Sequence, residues 1–200
     1  MAARTPGPVT LTGRHVRLEP LARSHLPDLF VAGGRDDEVW RYLTAPTPRT
    51  EQEFAAVLGA RIAQSAAGER VAFAVVDPGT GRAIGTTNYH DWSESDECVE
   101  IGGTWYARSV WRTAVNTESK LLLLTHAFED LGMGRLVWQT DVRNTRSQEA
   151  ILRLGAQREG VRRRAKRRPD GSWRDSAFFS LLVDEWPEAK ARLTDRLAKG

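Results

Sequence analysis

A change of period near the middle of the chain constrains its fold more than any other feature. From Val71 to Tyr106 apolar residues fall into three short runs with turn residues between them; from Leu121 onward, Leu121-Leu122-Leu123-Leu124, Phe128 and Leu131 form one long apolar helix pattern. The first part reads as an antiparallel meander: Val71–Val76, a turn at Asp77-Pro78-Gly79-Thr80-Gly81, Ala83–Trp92, an acidic turn around Ser93–Glu97, then Cys98–Tyr106. A Trp-containing loop, Ala107–Ala114, leads into Asn116-Thr117-Glu118 and the helix, which Gly132 and Gly134 stop. Arg135–Thr140 then predicts a strand, Asn144–Leu154 a helix ending at Gly155, and the remainder a hairpin.

Upstream, His15–Glu19 alternates and stops at Pro20, as a first strand would. Ser24 is placed to cap a short helix with Leu26, Leu29 and Phe30 inward. After an irregular segment, Gly33–Pro48, a second helix starts at Thr50, which has the capping-box spacing with Glu53 and carries Phe54, Val57, Leu58 and Ile62 at helical spacing. No internal repeat or long linker divides the 200 residues. The expectation is an α/β (α+β) fold: one domain over 14–186 with a mixed, mostly antiparallel sheet and about four helices, a flexible segment 1–13, and a C-terminal surface helix within 187–200.

With 40% hydrophobic residues the chain can build a core unaided. Its single cysteine, Cys98, allows no internal disulfide, thiolate metal cluster or Cys-x-x-Cys site, and no activating partner lies beside it to make it a nucleophile. No signal-like or membrane-spanning apolar stretch is present, so a cytoplasmic protein without membrane partners is expected. The net charge is +3, but Arg162, Arg163, Arg164, Lys166, Arg167 and Arg168 are crowded together. Such a run suits nucleic acid or one arm of a hairpin. The turn Pro169-Asp170-Gly171 and the strand-like Trp173–Leu182 favour the hairpin and make nucleic acid the weaker candidate partner.

Chemistry is most legible between Glu100 and Phe128. A loop wrapping onto a helix N-terminus presents unpaired N–H groups and suits a pyrophosphate, although Asn116 could equally cap an ordinary core helix. The element order, together with Val99-Glu100-Ile101-Gly102, Trp111, Asn116-Thr117-Glu118, and Asn144-Thr145-Arg146-Ser147 ahead of Leu154-Gly155, resembles the GNAT superfamily of N-acetyltransferases, in the branch that includes ribosomal-protein alanine N-acetyltransferases. One departure stands out. The superfamily's coenzyme loop, Gln/Arg-x-x-Gly-x-Gly/Ala, has Trp111, Ala114 and Asn116 at its marked positions, so its glycines are missing.

The resemblance implies direct attack of a primary amine, on a protein N-terminus or a small molecule, upon acetyl-CoA, with no metal and with dimers common. It also implies two central strands splayed apart around the thioester. Coenzyme contacts would come from Gly102, Thr104, Arg108, Arg112, Thr113, Ala114, Val115, Asn116, Thr117, Asn144 and Ser147. Glu100 is a candidate base or a structural polar group; His90 is an alternative base or a surface residue. The tyrosine acid of many members is replaced by Ile151, which leaves Ser147 as the implied acid or as a simple helix-cap hydroxyl. Trp40, Tyr42, Trp92 and Trp173 are candidates for the acceptor pocket or for core packing. Two other readings remain open: a nucleic-acid- or ribosome-binding module, and a coenzyme-A-binding scaffold without turnover.

Overall fold

The computed structural model describes residues 2–199. Eight strands form one sheet in the order β1-β2-β3-β4-β5-β6-β8-β7: β1 Leu11–Thr12, β2 Arg17–Pro20, β3 Arg70–Val76, β4 Ala83–Ser93, β5 Cys98–Tyr106, β6 Arg135–Asp141, β7 Gln157–Arg167 and β8 Trp173–Leu182. All neighbours are antiparallel except β5 and β6. The expected meander is β3-β4-β5, and the Arg-rich run is the outer arm of the β7-β8 hairpin.

Alternation along β3 shows how the layers assemble. Val71, Phe73 and Val75 point into one core and Ala72, Ala74 and Val76 into another, so the strand is covered on both faces. The first core is closed by α4 (Ala114–Thr125), α5 (Thr145–Arg153) and α6 (Trp186–Lys199), through Leu123, Leu124, Ile151, Ala189 and Leu193. The second is closed by α1 (Leu26–Leu29), α2 (Asp37–Trp40) and α3 (Glu51–Ala66), and it reaches Trp105 of β5.

Several local expectations are corrected. Ser24 caps nothing; the first helical segment begins after Ala22, whose N–H donates to His25 Nδ1 at 3.1 Å. The Gly33–Pro48 segment contains α2, capped by Asp36 accepting from Glu38 N. Thr50 does cap α3, accepting from Glu53 N at 3.1 Å, whereas the Glu53 carboxylate accepts from Arg49 N one residue earlier than a capping box requires. α4 is capped by Thr113 rather than Asn116, and it passes into a π-turn over His126–Asp130 before Gly132.

The ends of the chain are less independent than expected. The segment expected to be flexible, 1–13, makes contacts with the domain: Arg4 N donates to Leu131 O and Leu11–Thr12 pairs with β2; just beyond it, the Glu118 carboxylate accepts from the backbone N–H groups of Arg14, His15 and Val16 at 2.9, 2.6 and 2.7 Å. The C-terminal helix starts at Trp186 and lies on the surface with one face on the core, burying Trp186, Ala189 and Leu193 while most of its other residues are exposed. Met1 and Gly200, the outer limits of those two expected segments, lie outside the described residues.

Candidate active site

The site follows from a defect in strand pairing. β5 and β6 run parallel only at Cys98↔Arg135, Val99↔Leu136 and Glu100↔Val137; beyond Glu100 the two strands have no paired residues, though each keeps its outer partner. The β6-facing backbone groups of Gly102 to Trp105 are therefore free of strand partners, which a buried ladder does not normally tolerate. A bulge adds to the divergence. Gly103 has φ +57° and lies across from Thr87, between the pairs Thr86↔Trp105 and Asn88↔Gly102; a β-carbon there would stand 2.5 Å from Asn88 Oδ1, so this turn of the strand requires glycine.

Glu100 sits at the apex of the opening and is 7% exposed. Gln139 of β6 donates to its Oε2 at 2.9 Å, and His90 Nε2 stands 3.5 Å from its Oε1. Burial raises the Glu100 pKa above its ordinary value, partly opposed by the charges of His90 and Lys166 and by the Gln139 hydrogen bond. The other nitrogen of His90 lies 2.9 Å from Asp91 Oδ2. Asp91, His90 and Glu100 thus form a chain that can carry a proton between the cleft and the surface. Their ligand-type atoms also lie within 4.8 Å of one another, a set that could converge on an ion. Gly102 makes room for this arrangement, since a side chain there would collide with His90 Nε2.

At the mouth of the opening stand the N-termini of α4 and α5. Trp111 Nε1 donates to Tyr106 O at 2.9 Å, and the Arg146 guanidinium lies 3.6 Å from the centroid of the Trp111 ring, tying the first turn of α5 to the loop before α4. The missing glycines are explained here. Ala114 and Asn116 are ordinary helical residues, and the left-handed dihedral of the loop falls on Arg112, φ +63°. Thr113 Oγ1 accepts from Val115 N at 3.3 Å, while Val115 and Thr117 are buried, so only their backbone can face a ligand. Arg112 is exposed, and Arg108 lies 3.6 Å from Asp36. Thr104 is engaged from the other face of the sheet, accepting from Lys120 Nζ at 2.7 Å. Asn144 caps α5, its Oδ1 accepting from Ser147 N at 3.1 Å, and it lines a cavity with Glu38, Arg41, Tyr42, Thr145 and Arg146.

The four aromatic candidates are not brought together. Trp40 is 2% exposed in the second core, with Nε1 donating to Gly33 O, so it packs rather than binds. Regular alternation along β4 would put Trp92 on the face of Asn88 and His90. A bulge at Asp91, φ +49°, turns it instead against the first core. Trp173 lies on the hairpin under Arg164 and Arg167, whose guanidinium carbons are 5.7 and 3.8 Å from its ring centroid. Only Tyr42 borders the cavity at α5. Cys98, half-buried, has its thiol pKa raised by burial, consistent with an inert side chain.

Polar residues around the opening that the sequence did not single out include Gln139 and the buried cations Lys120 and Arg174. Lys120 is 4% exposed, donates among the described residues only to Thr87 Oγ1 (3.0 Å) and Thr104 Oγ1 (2.7 Å), and has its pKa driven by burial down to about 7. A signal was available: Lys120 shares a helical stripe with Leu123, Leu124 and Ala127, all fully buried.

A sheet opened between two parallel central strands, with a helix N-terminus at the opening and a carboxylate at its apex, defines an acyl-transfer scaffold of the acetyltransferase kind. The sequence pattern described as "Acetyltransferase (GNAT) domain" matches residues 15–157, and the chain belongs to that family. A solved structure of a putative acetyltransferase from T. thermophilus is 40% identical, with 96% of this chain and 98% of that one covered at a TM-score of 0.87. A GCN5-related N-acetyltransferase from Brucella melitensis is 29% identical, with 98% and 88% covered at a TM-score of 0.90. The "Putative ribosomal N-acetyltransferase YdaF" of Bacillus subtilis (strain 168) is 29% identical over 110 residues, 55% of this chain. The matched region spans 59% of that relative's length. No described helix is long and apolar enough to cross a membrane.

Proposed function

We propose that the protein transfers the acetyl group of acetyl-CoA to a primary amine by direct attack in a ternary complex. The observation that carries this reading is the opening beyond Glu100↔Val137, which leaves free backbone N–H groups on β5 beside a buried carboxylate with a raised pKa. The residues present fit the co-substrate. Backbone groups of Arg112 to Thr117 and the Arg108 and Arg112 side chains suit the pyrophosphate, and the unpaired edge of Gly102 to Trp105 suits the pantetheine arm and the thioester oxygen.

In this reading the amine nitrogen attacks the thioester carbon and forms the C–N bond as the C–S bond breaks. The amine's proton passes to Glu100, with His90 and Asp91 as the route outward. The leaving thiolate takes a proton from Ser147, whose hydroxyl, beside the Asn144 cap, regains one from solvent in the same step so that no alkoxide is left. Products are the N-acetylated amine and coenzyme A. A protein N-terminus and a small-molecule amine are both compatible; the name of the Bacillus relative says only that it is a ribosomal N-acetyltransferase.

The test is calorimetric titration with acetyl-CoA, dephospho-CoA and ADP, followed by single-turnover assays of Glu100→Gln and Ser147→Ala. Micromolar acetyl-CoA binding that both variants retain, with turnover slowed about 100-fold or more, is expected. No acetyl-CoA binding, or wild-type rates in both variants, overturns the proposal.

A further inference from the structure

The face of the sheet that carries Glu100 continues across β6 and β8 as Gln139, Asp141, Ser176 and Arg174, since Asp141 pairs with Ser176 and Gln139 with Phe178 in the antiparallel register. Two groups on it have no structural employment. Arg174 is 7% exposed, yet none of its nitrogens makes a hydrogen bond or salt bridge among the described residues, and its Nε is wholly buried. Ser176, two residues on and 0% exposed, has an Oγ without a partner.

The nearby carboxylates are occupied. Asp141, 1% exposed, is held by Arg168 through Nε at 2.7 Å and Nη2 at 3.0 Å, and by Arg143 N at 2.9 Å. Glu100 is engaged by Gln139 and His90; Asp141, and more weakly Glu100, act on Arg174 through space without a hydrogen bond to it. Burying the Nε of a guanidinium and a hydroxyl without partners is unfavourable unless something arrives to complete them.

We propose that the acceptor is a primary amine that also carries a carboxylate, which docks on Arg174 and Ser176 while its amine faces Glu100. The inference rests on the acetyl-transfer reading of the same cleft. A guanidinium fork with an adjacent hydroxyl matches the two oxygens of a carboxylate. Glu100, which unlike Asp141 has no arginine paired with it, selects a monoanion over a phosphate dianion, because its charge would repel the second negative charge. Such an acceptor is a free amino acid or the first residues of a peptide bearing an acidic side chain.

The experiment titrates the full-length protein, with and without saturating coenzyme A, with glycine, β-alanine and 4-aminobutyrate against their carboxamides. The peptides Ser-Asp-Gly-amide and Ser-Asn-Gly-amide form a second series. Expected is at least one acid that binds about 10- to 100-fold more tightly than its uncharged partner, as a charged hydrogen bond implies, with the preference lost in Arg174→Gln and reduced in Ser176→Ala. The series showing the preference identifies the source of the carboxylate. Should Arg174→Gln melt at a lower temperature than wild type, the wild-type acid-to-amide ratio and Ser176→Ala decide the matter. Acids and amides binding alike in both series, or a preference that survives Arg174→Gln, overturns the proposal. Product formation, followed by mass spectrometry after adding acetyl-CoA, tests the transferase reading separately: selective binding without product refutes transfer and leaves the carboxylate site standing.

Discussion

Replacing Lys120 with methionine tests the central packing of α4 on the sheet. The ammonium is buried with two threonine hydroxyls as its hydrogen-bond partners, and burial lowers its pKa from 10.5 to about 7. That displacement corresponds to about 5 kcal/mol of preference for the neutral amine in the folded state. The sign follows from linkage. Between pH 7 and 10.5 the unfolded chain holds this proton and the folded one does not, so stability from this group rises with pH; it is complete above 10.5 and is lost as pH falls to 7. From pH 7 to 8.5 the wild type should gain roughly 1 to 2 kcal/mol from Lys120 alone. Lys120→Met lacks this gain, and it keeps the hydroxyl pair satisfied because Thr87 Oγ1 and Thr104 Oγ1 already lie 2.8 Å apart. Urea unfolding followed by tryptophan fluorescence at about pH 6.5, 7.5 and 8.5 measures the difference. At the lowest of these pH values the variant should be more stable by about 2 to 4 kcal/mol, allowing for imperfect packing of the thioether. The gap should narrow as pH rises, while all other titrations cancel between the two proteins. Parallel pH dependences, or a variant less stable than wild type at the lowest pH, would falsify the assignment of a neutral amine at this position.

Two further outcomes concern the site and the N-terminal strands. Removing the Gln139 hydrogen bond should favour protonated Glu100, so Gln139→Leu is expected to move the acidic limb of the kcat/KM profile to higher pH; an unmoved limb would mean that Glu100 is not the titrating base. Glu118→Ala strips the acceptor from three backbone N–H groups and should cost about 2 to 3 kcal/mol, with hydrogen exchange accelerated first at residues 11–18. Uniform acceleration across the sheet would show instead that the carboxylate supports the whole fold.

Element type and order were legible from local chemistry. Alternation, Pro20, the turns at Asp77–Gly81 and Pro169–Gly171, and the Thr50 cap act within a few residues, so β2, the meander, α3, α4, α5 and the final hairpin could be placed in advance. The position of Glu100 on β5, and of Asn144 and Ser147 at the start of α5, was equally accessible. What each side chain faces was not. One bulge at Asp91 sends Trp92 to the opposite core, and the end of pairing at Glu100↔Val137 opens the cleft; both depend on register between strands, which no local pattern states.

The attachment of the N-terminal segment was hidden for a related reason. In the sequence Glu118 is only part of the Asn116-Thr117-Glu118 motif, and the fold alone brings it to the N–H groups of Arg14 to Val16, more than 100 positions away. Arg174 shows the same limit, whereas the burial of Lys120 was signalled by its helical stripe and only its threonine partners were hidden. The sequence by itself determined the kinds of elements, their order and the residues capable of chemistry, because these arise from dihedral preference and hydrophobic period. Tertiary structure alone decided which of those residues are desolvated and which have partners, because burial and pairing belong to contacts between distant segments rather than to the residues themselves.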